Sequence, residues 1–290
     1  MMNTIYLREQ LRQFLIEDIG YGDLSSALID GQDESVATIV AKEQGIFCGK
    51  PIVEELATMQ RLELVSCQED GRVVTPGDEL VVLRGKTRAI LETERVLLNV
   101  IQHTSGIATM TRQCVDALHD DSIHVTDTRK TTPGLRMIEK YAVRVGGGYN
   151  HRLRLDDAVM IKDNHIVALG GVTNAIQVAR ERVGHTTPIE VEVESFEQLM
   201  EAVQADPDIV MLDNRTPDEL REWVRHIPTH IKIEVSGGIT LDTIDDYRGI
   251  RIDVISLGQL THSVRAFDCS LNLQGGMKDA TTRNTPADIR

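Results

Sequence analysis

At 290 residues, with 41% hydrophobic and 26% charged side chains, the chain holds enough apolar material for one large domain or two ordinary ones and reads as soluble and globular. A formal net charge of −14 excludes the broad basic face that a nucleic-acid backbone requires, and no apolar run reaches membrane-spanning length, so neither nucleic acid nor membrane is an expected partner. Cys48, Cys67, Cys114 and Cys269 show no metal-ligand or disulfide spacing, and the acidic start lacks a signal peptide's basic n-region, so a cytoplasmic location is expected.

Apolar residues Ile5, Leu7, Leu11, Phe14 and Leu15 recur at helical spacing over 5–18, and Gly20, Gly22 and Asp23 end the pattern. From 35 to 85, short runs (VATIVAK, LELVS, RVVT, LVVLRG) separated by Gly, Asp and Pro predict a small β-rich layer. Residues 87–117 then read as one or two helices, with Ser105-Gly106 offering a kink point and Arg95 standing among apolar neighbours.

Residues 127–165 carry eight Lys and Arg against five acids, a net +3 that leaves the other 251 residues at −17. A basic island in an acidic chain points to a bound anion. DTRK and IKDNH each follow a short apolar run, SIHV and AVMI, so Arg129, Lys130 and Lys162 stand where strands run out into loops. That is the end of an α/β fold where ligand-binding side chains gather. Between them lie a Pro-Gly turn, a helical pattern (Leu135, Ile138, Tyr141, Ala142) and three glycines at 146–148, ahead of Asn150, His151 and Arg152.

Further along, apolar strands at IEVEVE (189–194), DIVMLD (208–213), IKIEVS (231–236) and IDVISLG (252–258) alternate with helical patterns at 172–183, 195–205, 216–226 and 240–248. With SIHVTD (122–127) and DAVMIK (157–162) they make six strands in βα order. This predicts a parallel sheet in an incomplete or decorated barrel. Residues from about 275 are polar and aperiodic and read as a tail.

Glu190, Glu192 and Glu194 occupy alternate positions of one strand and share a face, with Asp213 expected beside them. Carboxylates so placed need cations, either Mg²⁺ arriving with a phosphorylated sugar or, as the structural alternative, the basic stretch itself. Ser236-Gly237-Gly238 and Leu257-Gly258-Gln259 follow the last two strands. There glycine lets backbone N–H groups close on an anion, which suggests a phosphomonoester cradle to which His262 adds a donor.

The succession DTRKTTPGLR, EKYAVR, GGG, NHR and IKDNHI resembles the signature of the quinolinate phosphoribosyltransferase family (nicotinate-nucleotide pyrophosphorylase, carboxylating), and residues 94–111 resemble its ERxxLNxxQxxSGIATxT motif. The resemblance implies an α/β fold: an N-terminal α/β sandwich with a linking helix at 1–115, to which the C-terminal end returns, an incomplete parallel α/β barrel of the type II phosphoribosyltransferase kind at 116–274, and a polar tail at 275–290. The implied activity is transfer of phosphoribosyl from phosphoribosyl pyrophosphate to quinolinate with loss of CO₂, giving nicotinate mononucleotide and pyrophosphate for de novo NAD biosynthesis. It also implies a homodimer or larger oligomer in which Arg95 reaches the neighbouring subunit's site.

By the same resemblance Thr128, Arg129, Lys130, His151, Arg152 and Lys162 bind substrate, with Glu192 and Asp213 as the ligand-facing, Mg²⁺-holding pair. Ser236, Gly237, Gly238, Leu257, Gly258, Gln259 and His262 complete the substrate site. Lys130, Glu192 and Asp213 are the expected catalytic residues, and no organic cofactor is expected because the alkylated pyridine serves as its own electron sink. Two rivals are a ModD-like branch of the same fold, less similar at NHR and IKDNHI, and a non-catalytic sensor of phosphoribosyl compounds.

Overall fold

A computed structural model of the chain describes residues 2–275. Its first element follows from the 3.6-residue apolar spacing: helix α1 (Thr4–Ile19) buries Leu7, Leu11 and Leu15, and the Asn3 side chain caps it by accepting from the Ile5 and Tyr6 N–H groups at 3.0 and 3.2 Å. Next come β1 (Glu34–Ala41), β2 (Gly45–Ile46), α2 (Lys50–Gln60), β3 (Glu63–Cys67), β4 (Val73–Val74), β5 (Glu79–Lys86) and the long α3 (Thr87–Leu118). The structure makes residues 87–118 one continuous helix, α3, through Ser105-Gly106.

Helix α2 corrects the reading of residues 35–85 as purely β-like. Its buried residues Ile52, Val53, Leu56 and Ala57 repeat at helical spacing, and Pro51 stands at the helix start, where its missing N–H costs nothing.

The second half alternates as the sequence predicts: β6 (His124–Thr126), α4 (Arg136–Val145), β7 (Val159–Ile161), α5 (Asp163–Leu169), α6 (Val172–Arg182), β8 (Ile189–Val193), α7 (Phe196–Ala205), β9 (Ile209–Asp213), α8 (Pro217–Trp223), β10 (Lys232–Ser236), β11 (Val254–Ser256) and α9 (Gln259–His262). The helical pattern at 240–248 yields only a 3₁₀ turn over Ile244–Tyr247. Thr and Asp in TLDTIDDY bond their own backbone in turns more readily than they propagate a helix. The last described strand, β12 (Cys269–Gly275), runs antiparallel to β1.

The described residues divide into two compact units: 104–266, and 2–103 together with 267–275. The boundary between these units falls inside α3. From residue 267 the chain returns to the N-terminal unit, where β12 completes the sheet β12-β1-β5-β3. The expected polar tail lies beyond Gly275, outside the described residues.

In the barrel unit the six strands are ordered β6-β11-β10-β9-β8-β7, every pairing parallel. β6 and β7, neighbours in sequence, are the two edges, so the barrel is incomplete between them. Tyr149 covers part of the β6 edge: its N–H donates to the Val125 carbonyl at 2.8 Å and its carbonyl accepts from the Asp127 N–H at 3.2 Å.

Along the strands, fully buried Val191, Val193, Val210, Leu212, Ile233, Val235 and Ile255 alternate with Glu192, Met211, Glu234, Ser236 and Ser256. The apolar set meets the helix layer, where Ala175, Ile176, Leu199 and Ala202 are also buried. The other set lines the inside of the curved sheet, which is how a parallel sheet delivers polar groups to one place.

Candidate active site

Strand ends and the loops that follow them surround a cavity of about 240 Å³ at the carboxyl edge of the parallel sheet. Thr128, Arg129 and Lys130 follow β6, His151 and Arg152 follow the glycine run, Lys162 follows β7, and Glu192, Asp213 and Ser236 come from β8, β9 and β10. All nine are residues singled out from the sequence. Met160, Met211, Glu234 and Ser256 line the same space and were not.

Charge is partitioned across the cavity. On the basic side Arg152 donates from Nη1 to the Ala158 carbonyl at 2.9 Å, and burial followed by the neighbouring Arg129 lowers its pKa. The Nε atoms of both Arg129 and Arg152 are buried and make no hydrogen bond among the described residues. Two guanidiniums forced together with donors unspent form a site for an anion that bridges them.

On the acidic side the Lys162 ammonium is paired with Glu192. The Asp213 carboxyl is raised by burial and then by the nearby Glu192 charge. The three carboxylates at and just after β8 diverge: Glu190 is buried, Glu192 is 12% exposed at its side chain, and Glu194, beyond the strand's end, is open to solvent. One oxygen each from Glu192, Glu194 and Asp213 lie within 4.8 Å of one another, an all-oxygen donor set that fits a hard divalent cation.

Beneath the basic side, Asp127 organises two segments. Its carboxylate accepts from the Lys140 ammonium, from Asn150 Nδ2 at 2.5 Å and from the His151 N–H at 2.9 Å, while Lys140 also donates to the His151 carbonyl at 3.0 Å. Both backbone groups of His151 are thereby fixed by one ion pair. Lys140, counted with the basic island, is a buried structural cation and not a cavity residue.

The glycine loops are placed unevenly. Gly258 lies against Lys130: a Cβ there would stand 3.1 Å from Lys130 Cδ and 3.0 Å from His262 Cδ2, and Thr261 Oγ1 donates to the Lys130 carbonyl at 2.8 Å. Leu257 is buried, its N–H donating to the Thr126 carbonyl at 2.9 Å, and Gln259 opens α9. Gly237 and Gly238 line an adjoining, more open hollow with Asn214 and Arg215, so of that loop only Ser236 faces the main cavity. Arg95 is exposed on the part of α3 that belongs to the other unit.

The most telling missed residue is Glu234. It hides in the apolar run IKIEVS, yet it shares a strand face with Ser236, and that parity was the available signal.

A family model described as quinolinate phosphoribosyl transferase, C-terminal domain, matches residues 107–272, and one described as its N-terminal domain matches 23–105. The chain belongs to the quinolinate phosphoribosyl transferase family. It is 48% identical over 274 residues to the probable nicotinate-nucleotide pyrophosphorylase [carboxylating] of Bacillus subtilis (strain 168), covering 94% of this chain and 95% of that one. It is 38% identical to the Homo sapiens nicotinate-nucleotide pyrophosphorylase [carboxylating], over 86% of this chain and 85% of that one. The crystal structure of NadC from Streptococcus pyogenes superimposes with a TM-score of 0.90 at 41% identity, covering 96% of this chain and 99% of that one. The family's two domain models meet at residues 105–107, inside α3, close to the boundary between the two compact units.

Proposed function

We propose that the protein transfers a phosphoribosyl group from phosphoribosyl pyrophosphate to quinolinate and releases CO₂, forming nicotinate mononucleotide and pyrophosphate. The observation that carries this is the partition of a single cavity into an arginine-rich side and a carboxylate side, in a chain of this family. Arg129, Arg152, His151 and Lys162 match a small diacid, and Met160 and Met211 offer apolar, polarizable surface for its aromatic ring.

In the reaction the pyridine nitrogen attacks the anomeric carbon as the bond to pyrophosphate breaks. Positive charge develops on the ribose ring, and Glu192 and Asp213 stabilise it electrostatically. Lys130 and the Ser236 and Gly258 loops hold phosphate oxygens, so no covalent nucleophile is needed and positioning dominates. Alkylation leaves the ring nitrogen cationic; the adjacent carboxylate then leaves as CO₂, its bonding electrons drawn into the ring, and a proton replaces it at carbon.

Glu192 and Asp213, with Glu194 beside them, are the residues to hold Mg²⁺, which when bound neutralises pyrophosphate charge. We place the reaction in the cytoplasm, in keeping with four free thiols, and in a homodimer to which the exposed Arg95 is contributed across the interface. Incubation with quinolinate, phosphoribosyl pyrophosphate and Mg²⁺ should yield nicotinate mononucleotide by mass spectrometry. Tight binding of phosphoribosyl pyrophosphate with no product would favour a sensor instead.

A further inference from the structure

His151 is held from a direction that the transfer chemistry leaves unused. Its Nε2 lies 3.0 Å from Glu190 Oε2 and 3.5 Å from Glu234 Oε1, and these two glutamates are only 2% and 3% exposed. They come from β8 and β10, on either side of β9, and converge beneath the cavity that His151 lines. Two carboxylates at the floor of an anion site would repel the very ligand that the arginines attract. Only a cation beside them offsets that effect, and His151, which contacts both and lines the cavity, is placed to supply it. The remaining oxygen of Glu190 and the Glu234 oxygen nearest His151 are buried and make no hydrogen bond among the described residues.

We infer that Glu190 and Glu234 are positioning residues for the transfer reaction: Glu190 holds His151 through a hydrogen bond to Nε2, Glu234 adds a nearby carboxyl group, and together they keep the ring cationic, so that an incoming carboxylate meets a fixed imidazolium. The backbone clamp from Asp127 and Lys140 fixes where the residue sits, and the two glutamates fix how its ring is turned and charged. Lys140 is the other charge close to the ring, from α4, and opposes the imidazolium; Asp127 is close to Glu234 and adds to the negative charge there. This deepens the proposed function and rests on it for the identity of the ligand.

The test uses the full chain labelled with ¹⁵N-histidine, in wild type, Glu190→Gln and Glu234→Gln, with His151→Gln to identify the His151 signals. Glutamine keeps the shape of each glutamate, and thermal unfolding checks that each variant folds. At neutral pH the wild-type ring should show both nitrogens protonated, and the variants should shift toward neutral imidazole. KM for quinolinate should rise about tenfold or more, the scale of a weakened charge-assisted hydrogen bond, with KM for phosphoribosyl pyrophosphate changed less than about twofold. Ring signals unchanged in both variants, or the two KM values rising together, would overturn the inference. Failure of wild type to form product would instead sink the transfer reading, and the ring signals would still decide whether the glutamates charge His151.

Discussion

The Lys140 ammonium and the Asp127 carboxylate, 2% and 0% exposed at their side chains, form a buried ion pair that joins helix α4 to the end of strand β6. Burial disfavours both charges, pushing the Asp127 carboxyl up and the Lys140 ammonium down, and each is opposed by the other's charge. Removing one member leaves the other uncompensated. Lys140→Met should therefore cost on the order of 3–5 kcal/mol in urea unfolding, and the double variant Lys140→Met with Asp127→Asn should recover part of that loss. Additive costs would mean that the pair is not coupled.

Stability should fall as pH rises from mildly acidic toward neutral, and Glu234 is the main reason. Burial first, then the charge of Glu190, pushes its carboxyl up from 4.5 to about 7. A group raised on folding contributes stability that is complete below its unfolded value and disappears as pH climbs through its folded one, here between 4.5 and about 7. His151 acts in the same direction: burial lowers its pKa, but the hydrogen bond to Glu190 and the charges of both glutamates raise it on balance. Thermal melts across this range should show a decline in wild type and a flatter profile in Glu234→Gln. Equal slopes would remove Glu234 as the cause.

Lys162 separates function from folding. Its side chain is 43% exposed, so the pair with Glu192 should contribute no more than about 1 kcal/mol to stability. Lys162→Ala should leave the denaturant midpoint nearly unchanged and raise KM for quinolinate about tenfold or more, the cost of one charged contact to a carboxylate. Comparable losses in both measurements would return Lys162 to a structural role.

Gly237 should resist any side chain. Its φ of +98° is a conformation that L-residues rarely adopt, and a Cβ there would collide with the Asn214 side chain and stand 2.9 Å from the Asn214 nitrogen. Gly237→Ala should cost roughly 1–3 kcal/mol and weaken phosphoribosyl pyrophosphate more than quinolinate. Steady-state kinetics with each substrate varied in turn would reveal the split.

The barrel was legible because parallel strands covered by helices write themselves as apolar runs, and the basic island was legible because its charge opposes that of the rest of the chain. Helix α2 was not, since KPIVEELATMQ sits among β-like runs and its helical spacing covers only about two turns. Glu234 was hidden by its neighbours Ile233 and Val235, which face the helices while it faces the cavity. Lys140 looked like the other basic residues because sequence does not say which cation meets a buried carboxylate. The position of β12 depends on pairing with a strand more than 200 residues earlier, a contact that no local pattern announces.

Quinolinate labelled in the carboxyl group next to the ring nitrogen, incubated with phosphoribosyl pyrophosphate and Mg²⁺, gives the deciding measurement. The arginine and carboxylate sides of the cavity, acting together, should release labelled CO₂ and pyrophosphate in equal amounts, and both should vanish in Arg152→Ala. Pyrophosphate released without CO₂, or neither released by folded wild-type protein, would contradict the assignment.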